Sequence, residues 1–283
     1  MNGITYVNGR LVPADQAVLP LNDLGILRGY GVFDYLRTYG RVPFRLREHL
    51  LRLESSARQI GLALPWDLEE LAEIVFETYA ANNHMPDAGI RIVVTGGPSD
   101  NAMTPKGQSS LIVMINPVSP YEEAKYRSGC SAITTHIPRI LPTVKSTNYI
   151  GAIMAMQEAD RVDAIEAIYR DDQDRLTEGT RSNLFMVKEG VLVTPATGVL
   201  PGITRAAIIE AAAGEFTVAE RDVAYADVLA ADEVFLTSTT KEVLPIVHVD
   251  EHPIGDGTPG PITTRILALF RALVARECAT LHL

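Results

Sequence analysis

Apolar and polar residues alternate along the first part of this chain and then recur at helical spacing. Residues 4–12, ITYVNGRLV, set two short apolar runs around Asn8-Gly9. That pair favours the tight turn of a β-hairpin. A second hairpin is expected within 31–45, with its turn near Gly40. Leu46, Leu50, Leu53, Ala57 and Ile60 then recur three or four positions apart, which predicts an amphipathic helix. Another helix is expected over 67–82, after Pro65, with Asp67 as its cap. Strands are expected at 90–95 (IRIVVT) and 111–115 (LIVMI).

The following stretch, NPVSPYEEAKY, has two prolines, a polar run and no period, so it predicts a linker. The expected organisation is a small N-terminal domain (1–117), a linker (118–124) and a larger C-terminal domain (125–283) carrying Lys145. In the second half, strands are expected at 130–135, 165–169, 183–187, 191–194 and 233–237. Helices are expected at about 148–160, 204–213 and 261–277. The strands cluster instead of alternating with helices, so the fold class is α+β in two domains.

Composition narrows the possible partners. Among 283 residues, 25 are Lys or Arg and 35 are Asp or Glu, a formal charge of −10. Such a chain repels nucleic acid and anionic membranes at long range, yet leaves room for a local basic pocket. The two cysteines, Cys130 and Cys278, fit no metal-ligand spacing and point to a reducing compartment. The histidines at 49, 84, 136, 248, 252 and 282 are scattered, so they are read as surface or structural residues and no metal site is expected. The N-terminus lacks the basic and apolar regions of a signal peptide, and no apolar run reaches membrane-spanning length. A cytoplasmic protein is expected.

Five features could carry chemistry. Lys145, in LPTVKSTNYIG, lies between a proline-bounded strand and a helix. A lysine there can serve as a Schiff-base residue if it is partly desolvated; otherwise it is a solvated loop lysine. Glu178 lies in LTEGTRSNLF, a small-residue turn ahead of a strand, where a carboxylate is ordinarily a turn or cap residue. LPGITR (200–205) opens a helix whose free N–H groups suit an anion, and TSTTK (237–241) offers hydroxyls at a strand end. Arg52 could add a fixed positive charge, or simply be a solvated helix residue.

Together these segments resemble the class IV aminotransferases, the fold type IV enzymes of pyridoxal 5'-phosphate. That family includes branched-chain and D-amino-acid aminotransferases and aminodeoxychorismate lyases. The resemblance runs through GYGVFDYLR (29–37), FRLREHLLRL (44–53), Lys145, LTEGTRSNLF (176–185), LPGITR, ADEVFLTSTTKEVLPI (231–246) and GPITTRI (260–266). It implies that Lys145 holds the cofactor as a Schiff base and later carries a proton, and that Glu178 pairs with the pyridine nitrogen. It implies that Arg52, the N–H groups of Ile203 and Thr204, and Thr239 with Thr240 bind the phosphate. Tyr149 would contact the ring oxygen. The resemblance also implies a homodimer with shared active sites, the segment Leu24–Tyr30 reaching into the partner's site with Tyr30 against substrate. The reaction it implies is a ping-pong transfer between an amino acid and a 2-oxo acid such as 2-oxoglutarate or pyruvate.

Substrate choice turns on how the α-carboxylate is held. The candidates are Arg28, in GILRGYG, and Arg91, in AGIRIVVTGG. Arg91 matches a strand arginine of branched-chain enzymes. The better-known D-amino-acid enzymes carry an arginine near the end of that strand, where this chain has Thr95-Gly96-Gly97. Arg28 with Arg91 resembles the less common D-amino-acid aminotransferases; alternatively Arg28 pairs with a carboxylate such as Asp34 at the dimer interface. D-amino acids are therefore the expected donors. L-branched-chain transamination comes second, and aminodeoxychorismate lyase, (R)-amine transaminase and a non-catalytic phosphate binder follow.

Overall fold

The alternation of the first hundred residues becomes a six-stranded antiparallel sheet. The computed structural model describes residues 3–280. It divides into two compact units. The first comprises the described residues as far as Ser119, Val144–Asn148, and the described residues from Glu277 on; the second comprises Pro120–Thr143 and Tyr149–Arg276.

In the first unit, β1 (Ile4–Val7) and β2 (Arg10–Pro13) form the Asn8-Gly9 hairpin. Next come α1 (Leu24–Arg28), β3 (Gly31–Tyr39), β4 (Val42–Pro43), α2 (Leu46–Gln59) and α3 (Leu68–Ala81). The strands β5 (Ala88–Thr95) and β6 (Ser110–Pro117) complete the sheet, in the order β2-β1-β6-β5-β3-β4. Asp67 and Glu70 cap α3 reciprocally in a capping box. Leu50, Leu53 and Ala57 of α2 and Leu71, Val75 and Tyr79 of α3 share a core with Val32, Leu36, Ile90 and Ile92. Because side chains alternate across a strand, Phe33 and Tyr35 of β3 stand on the sheet face opposite to Val32, Asp34 and Leu36.

The short helix α1 is absent from the sequence-based expectation, because five residues carry too little period to register. Asp23 makes it. Its carboxylate is fully buried and accepts from the Gly25 N–H (2.7 Å), Thr95 Oγ1 (2.9 Å) and Ser110 Oγ (2.8 Å). Thr95 and Ser110 are register partners on β5 and β6, so α1 is tied to two adjacent strands.

The second unit contains α4 (Glu123–Ser128), β7 (Cys130–Thr135), α5 (Ile150–Arg161) and β8 (Glu166–Arg170). The chain continues through β9 (Arg175–Gly179), β10 (Asn183–Lys188), β11 (Val191–Thr194) and α6 (Ile203–Ala212). It ends with β12 (Val218–Glu220), β13 (Val223–Ala224), α7 (Tyr225–Leu229), β14 (Glu233–Ser238), β15 (Glu242–Val249), β16 (His252–Pro253) and α8 (Pro261–Thr280). The strand order is β12-β11-β10-β14-β15-β7-β8-β9-β13. A further pairing of β9 with β10 closes the run from β10 to β9 on itself. Leu184, Met186, Val234, Leu236, Leu244 and Ile168 fill its interior. β15, missing from the sequence reading, carries EVLPIVHV: it is buried along its length and lacks clean alternation.

Replacing Asp23 with Ala removes a helix cap and orphans three donors, two of them on buried side chains. The expected loss of unfolding free energy is about 3 kcal/mol, against about 1 kcal/mol for Asp67→Ala at the exposed cap of α3. Urea unfolding of both variants checks the ordering.

Candidate active site

Lys145 is positioned by the free edge of β3. β4 pairs only with Thr38 and Tyr39, which leaves the first half of β3 open on that side. The segment around Lys145 takes that edge: the Phe33 N–H donates to the Lys145 carbonyl (2.9 Å) and the Thr147 N–H to the Gly31 carbonyl (3.0 Å). The Lys145 N–H donates to Ser56 Oγ of α2 (3.1 Å), and Val144 is buried in the core of the first unit. The expectation that the lysine belongs with the C-terminal domain is therefore corrected. Chain order puts Lys145 after the linker, but its hydrogen bonds put it in the first unit.

The Lys145 side chain passes over Phe33, with Nζ 4.8 Å from the ring centroid. The Arg91 guanidinium lies 5.2 Å from the same ring and 5.1 Å from that of Tyr35, its register partner. Lys145 and Arg91 thus flank one aromatic ring. A planar guanidinium there can meet a carboxylate with two donors.

Arg52 is not the solvated helix arginine that its sequence context also allowed. It is 8% exposed, and its Nε and Nη2 donate to the two oxygens of Asp34 at 2.9 and 2.8 Å. Asp34 is fully buried, and it also accepts from His49 Nδ1 (2.6 Å) and from the Tyr35 N–H (2.7 Å). Burial alone would raise the Asp34 carboxyl; the Arg52 and His49 beside it hold it well below the usual carboxylate range. Burial pushes His49 below the ordinary imidazole range, so at neutral pH it is uncharged and gives its Nδ1 proton to Asp34. Within the chain Asp34 is engaged by Arg52 and His49, not by Arg28. Arg28 is exposed and donates to the Leu27 carbonyl (2.7 Å). Tyr30 donates its hydroxyl to the Ile60 carbonyl (3.0 Å).

In the second unit Glu178 lies on β9, not in the turn expected from its small neighbours, because β9 pairs with β8, β10 and β13. Its register partner is Asn183, at the seam that closes the sheet. Only 2% exposed, Glu178 forms an ion pair with Arg139 (2.6 Å). Its other oxygen accepts from the Leu200 N–H (3.0 Å) and Asn183 Nδ2 (3.3 Å). Arg139, the Leu200 N–H and the Asn183 amide all turn positive or donor groups toward the carboxylate. Asn183 also donates to the Leu200 carbonyl, and so ties Glu178 to the LPGITR segment (3.0 Å). A Cβ at Gly202 would fall on the Asn183 amide, so only glycine permits this approach.

Gly202 leads into α6 without a side-chain cap, leaving the N–H groups of its first turn, at Ile203 and Thr204, uncapped by any side chain. α6 packs against β14, the strand that runs into Thr239 and Thr240. On β14, Thr237 Oγ1 is buried and has no hydrogen-bond partner among the described residues. Half-buried Tyr149 precedes α5. Near it, burial pushes the Tyr169 phenol up to about 12, against the Arg139 charge and with Glu178 adding to the rise.

The sequence reading gave neither Asp34 nor His49 this role, and it did not single out Arg139 or Asn183. His49 and Arg52, one helical turn apart, share a face of α2, and that spacing was a readable signal. Arg139 had none, because its partner lies 39 positions ahead (178 − 139).

Comparison with known proteins decides the family. The model of the amino-transferase class IV family matches residues 31–249. The chain belongs to the class IV aminotransferases. It is 36% identical to a D-alanine aminotransferase of Listeria monocytogenes serotype 1/2a, over 98% of both chains. It is also 36% identical to a putative branched-chain-amino-acid aminotransferase of Methanocaldococcus jannaschii, over 94% of both. The branched-chain amino acid aminotransferase of Escherichia coli superposes with a TM-score of 0.91 at 30% identity, covering 97% of this chain and 95% of that one. A second solved branched-chain enzyme, from T.th. and with pyridoxamine 5'-phosphate, also scores 0.91, at 29% identity over 98% and 95%. The fold is therefore fold type IV, as the motifs implied, and the cofactor of the family is pyridoxal 5'-phosphate. This chain's donor chemistry fits that group. A buried Glu178 beside Arg139 suits a protonated ring nitrogen, and the uncapped start of α6 with the unpartnered Thr237 hydroxyl suits a phosphate.

The His49–Asp34–Arg52 cluster predicts a pH dependence. Folded His49 stays neutral, whereas the unfolded chain binds its proton below about pH 6.5, so stability falls as the pH drops through that value. Asp34 acts lower: its contribution is complete above about pH 4 and is lost below it. Urea midpoints of His49→Gln should therefore fall less than wild type between about pH 7 and pH 5. Parallel curves would remove His49 from this role.

Proposed function

We propose that this chain is a D-amino-acid:2-oxo-acid aminotransferase. The carrying observation is Arg91 beside Lys145 across Phe33, in a chain whose strand end holds Thr95-Gly96-Gly97 and not an arginine. Thr95 is itself engaged with Asp23. The Listeria relative named a D-alanine aminotransferase, alike over nearly the whole chain, supports the reading. A second reading, L-branched-chain transamination, is favoured by the solved branched-chain enzymes and by the strand position of Arg91.

In this reading Lys145 would hold the cofactor and, once displaced by the amino donor, would move a proton at the substrate α-carbon. Glu178, held by Arg139, Asn183 and the Leu200 N–H, would accept from the ring nitrogen. Arg52, the N–H groups of Ile203 and Thr204, and the hydroxyls of Thr239 and Thr240 take the phosphate. Tyr149 meets the ring oxygen. Pyridoxal 5'-phosphate supplies an electron sink and a temporary carrier for the amino group. Arg91 and Arg28 take the α-carboxylate, with Tyr30 against the substrate. Arg28 acts from a partner subunit: α1 presents it on the surface beside Ile26 and Leu27, which are 53% and 38% exposed apolar residues suited to burial in a homodimer.

The test is a donor panel of D-alanine, D-glutamate, L-leucine, aminodeoxychorismate and (R)-1-phenylethylamine, with 2-oxoglutarate or pyruvate as acceptor. D-amino acids should react fastest. L-leucine turnover with inert D-amino acids would establish the second reading instead. Arg28→Ala and Arg91→Ala should each raise KM for the donor about tenfold, with cofactor content unchanged. Unaltered donor kinetics would exclude that arginine.

A further inference from the structure

Glu166 and Lys241 form an ion pair that shares no residue with the groups assigned above. Glu166 on β8 is fully buried, Lys241 is 1% exposed, and their charged atoms are 2.5 Å apart. Glu166 also accepts from the Thr180 hydroxyl, the Arg181 N–H (3.0 Å) and Ser182 Oγ (3.1 Å). All are donors. Burial would raise the Glu166 carboxyl, but the charges of Lys241 and Arg181 bring it below the usual carboxylate range, so it is ionised. A Cβ at Gly179 would come within 2.9 Å of Glu166 Cγ, so glycine is needed where the turn passes over the carboxylate.

Lys241 is held as firmly by its backbone. Its N–H donates to Ser238 Oγ (3.2 Å), its carbonyl accepts from the Tyr126 hydroxyl (3.0 Å), and its ammonium lies 5.7 Å from the centroid of the Tyr121 ring. One carboxylate therefore grips two turns. Thr180–Ser182 follow Glu178 closely, and Lys241 follows Thr239 and Thr240 directly. A buried ion pair adds little stability over apolar residues of equal volume, because desolvation offsets the attraction. What it does supply is a fixed distance between its ends.

We propose that Glu166 and Lys241 are positioning residues: their ion pair sets the spacing between the turn that follows Glu178 and the turn that bears Thr239 and Thr240, and thereby the affinity for the phosphorylated cofactor. The proposal rests on the reading of Glu178, Thr239 and Thr240 as cofactor residues. The rival role for Lys241 is that of a direct positive charge for the phosphate. The two roles differ in sign at Glu166. If the pair sets spacing, Glu166→Gln weakens cofactor binding; if Lys241 acts by its charge, Glu166→Gln releases that charge and binding tightens or stays the same.

The experiment strips the cofactor from the full-length protein and titrates pyridoxal 5'-phosphate back, following absorbance across a range of pH. Thermal midpoints of the cofactor-free forms are recorded in parallel. Glu166→Gln and Lys241→Met should each weaken binding about tenfold or more. The double variant buries no unpaired charge, so it keeps the fold testable if a single variant fails to fold, and it should bind less tightly than wild type. Variants that lower the cofactor-free thermal midpoint but leave cofactor affinity at the wild-type value would overturn the proposal. Unchanged or tighter binding by Glu166→Gln would do the same. Glu178→Gln separates the two levels. If it alters neither affinity nor the pH dependence of the cofactor absorbance, the site reading fails. If it alters them while Glu166→Gln and Lys241→Met bind normally, the positioning proposal fails alone.

Discussion

A carboxylate removed from water must find a donor for each exposed lone pair, and this requirement organises the functional segments of the protein. Asp23, Asp34, Glu166, Glu178 and Glu233 are all buried. Each gathers donors from parts of the chain that have no local reason to meet. Asp23 draws α1 onto β5 and β6, and so sets where Arg28 emerges. Asp34 fixes the Arg52 fork and a neutral His49. Glu233 accepts the N–H groups of Ile262 and Thr263 and anchors the start of α8. An apolar core would tolerate small slips at these places; saturated carboxylates do not, because each lost donor costs about 1–3 kcal/mol.

The same constraint separates two kinds of support, one around Lys145 and one around Glu178. Lys145 rides on a sheet edge, in a short extended segment held by a few backbone hydrogen bonds and Ser56. Glu178, by contrast, sits at the seam of a closed sheet, held by Arg139, Asn183 and Leu200. Under the proposed roles, a residue that bonds the cofactor and then lets go to move a proton needs some freedom, and one that maintains the charge of the ring needs none.

Electrostatics at the two sites also differ in kind. On the first sheet, Lys145 and Arg91 bring positive charge to one aromatic face, within a chain of formal charge −10. Local concentration of cations in an acidic protein suits small anionic substrates and still repels large polyanions. In the second unit, by contrast, the Glu166–Lys241 charges cancel pairwise, which fits a part that fixes distance better than one that attracts a ligand.

Sequence by itself determined the elements whose period or turn chemistry is local: the Asn8-Gly9 hairpin, α2 and α3 with the Asp67 cap, and most strands of both units. It also determined the family, because seven short motifs in order leave few alternatives. It could not reveal α1, whose cause is Asp23 meeting strands some seventy to ninety positions away, nor β15, whose continuous burial hides its alternation. It placed Lys145 in the wrong unit, because chain order is not contact order, and it read Glu178 as a turn residue where the sheet closes. The partners of the buried charges, Asp34 for Arg52, Arg139 for Glu178 and Lys241 for Glu166, were decided only by tertiary structure. A charge becomes costly only once folding removes its water, and that is when its partner must be in place.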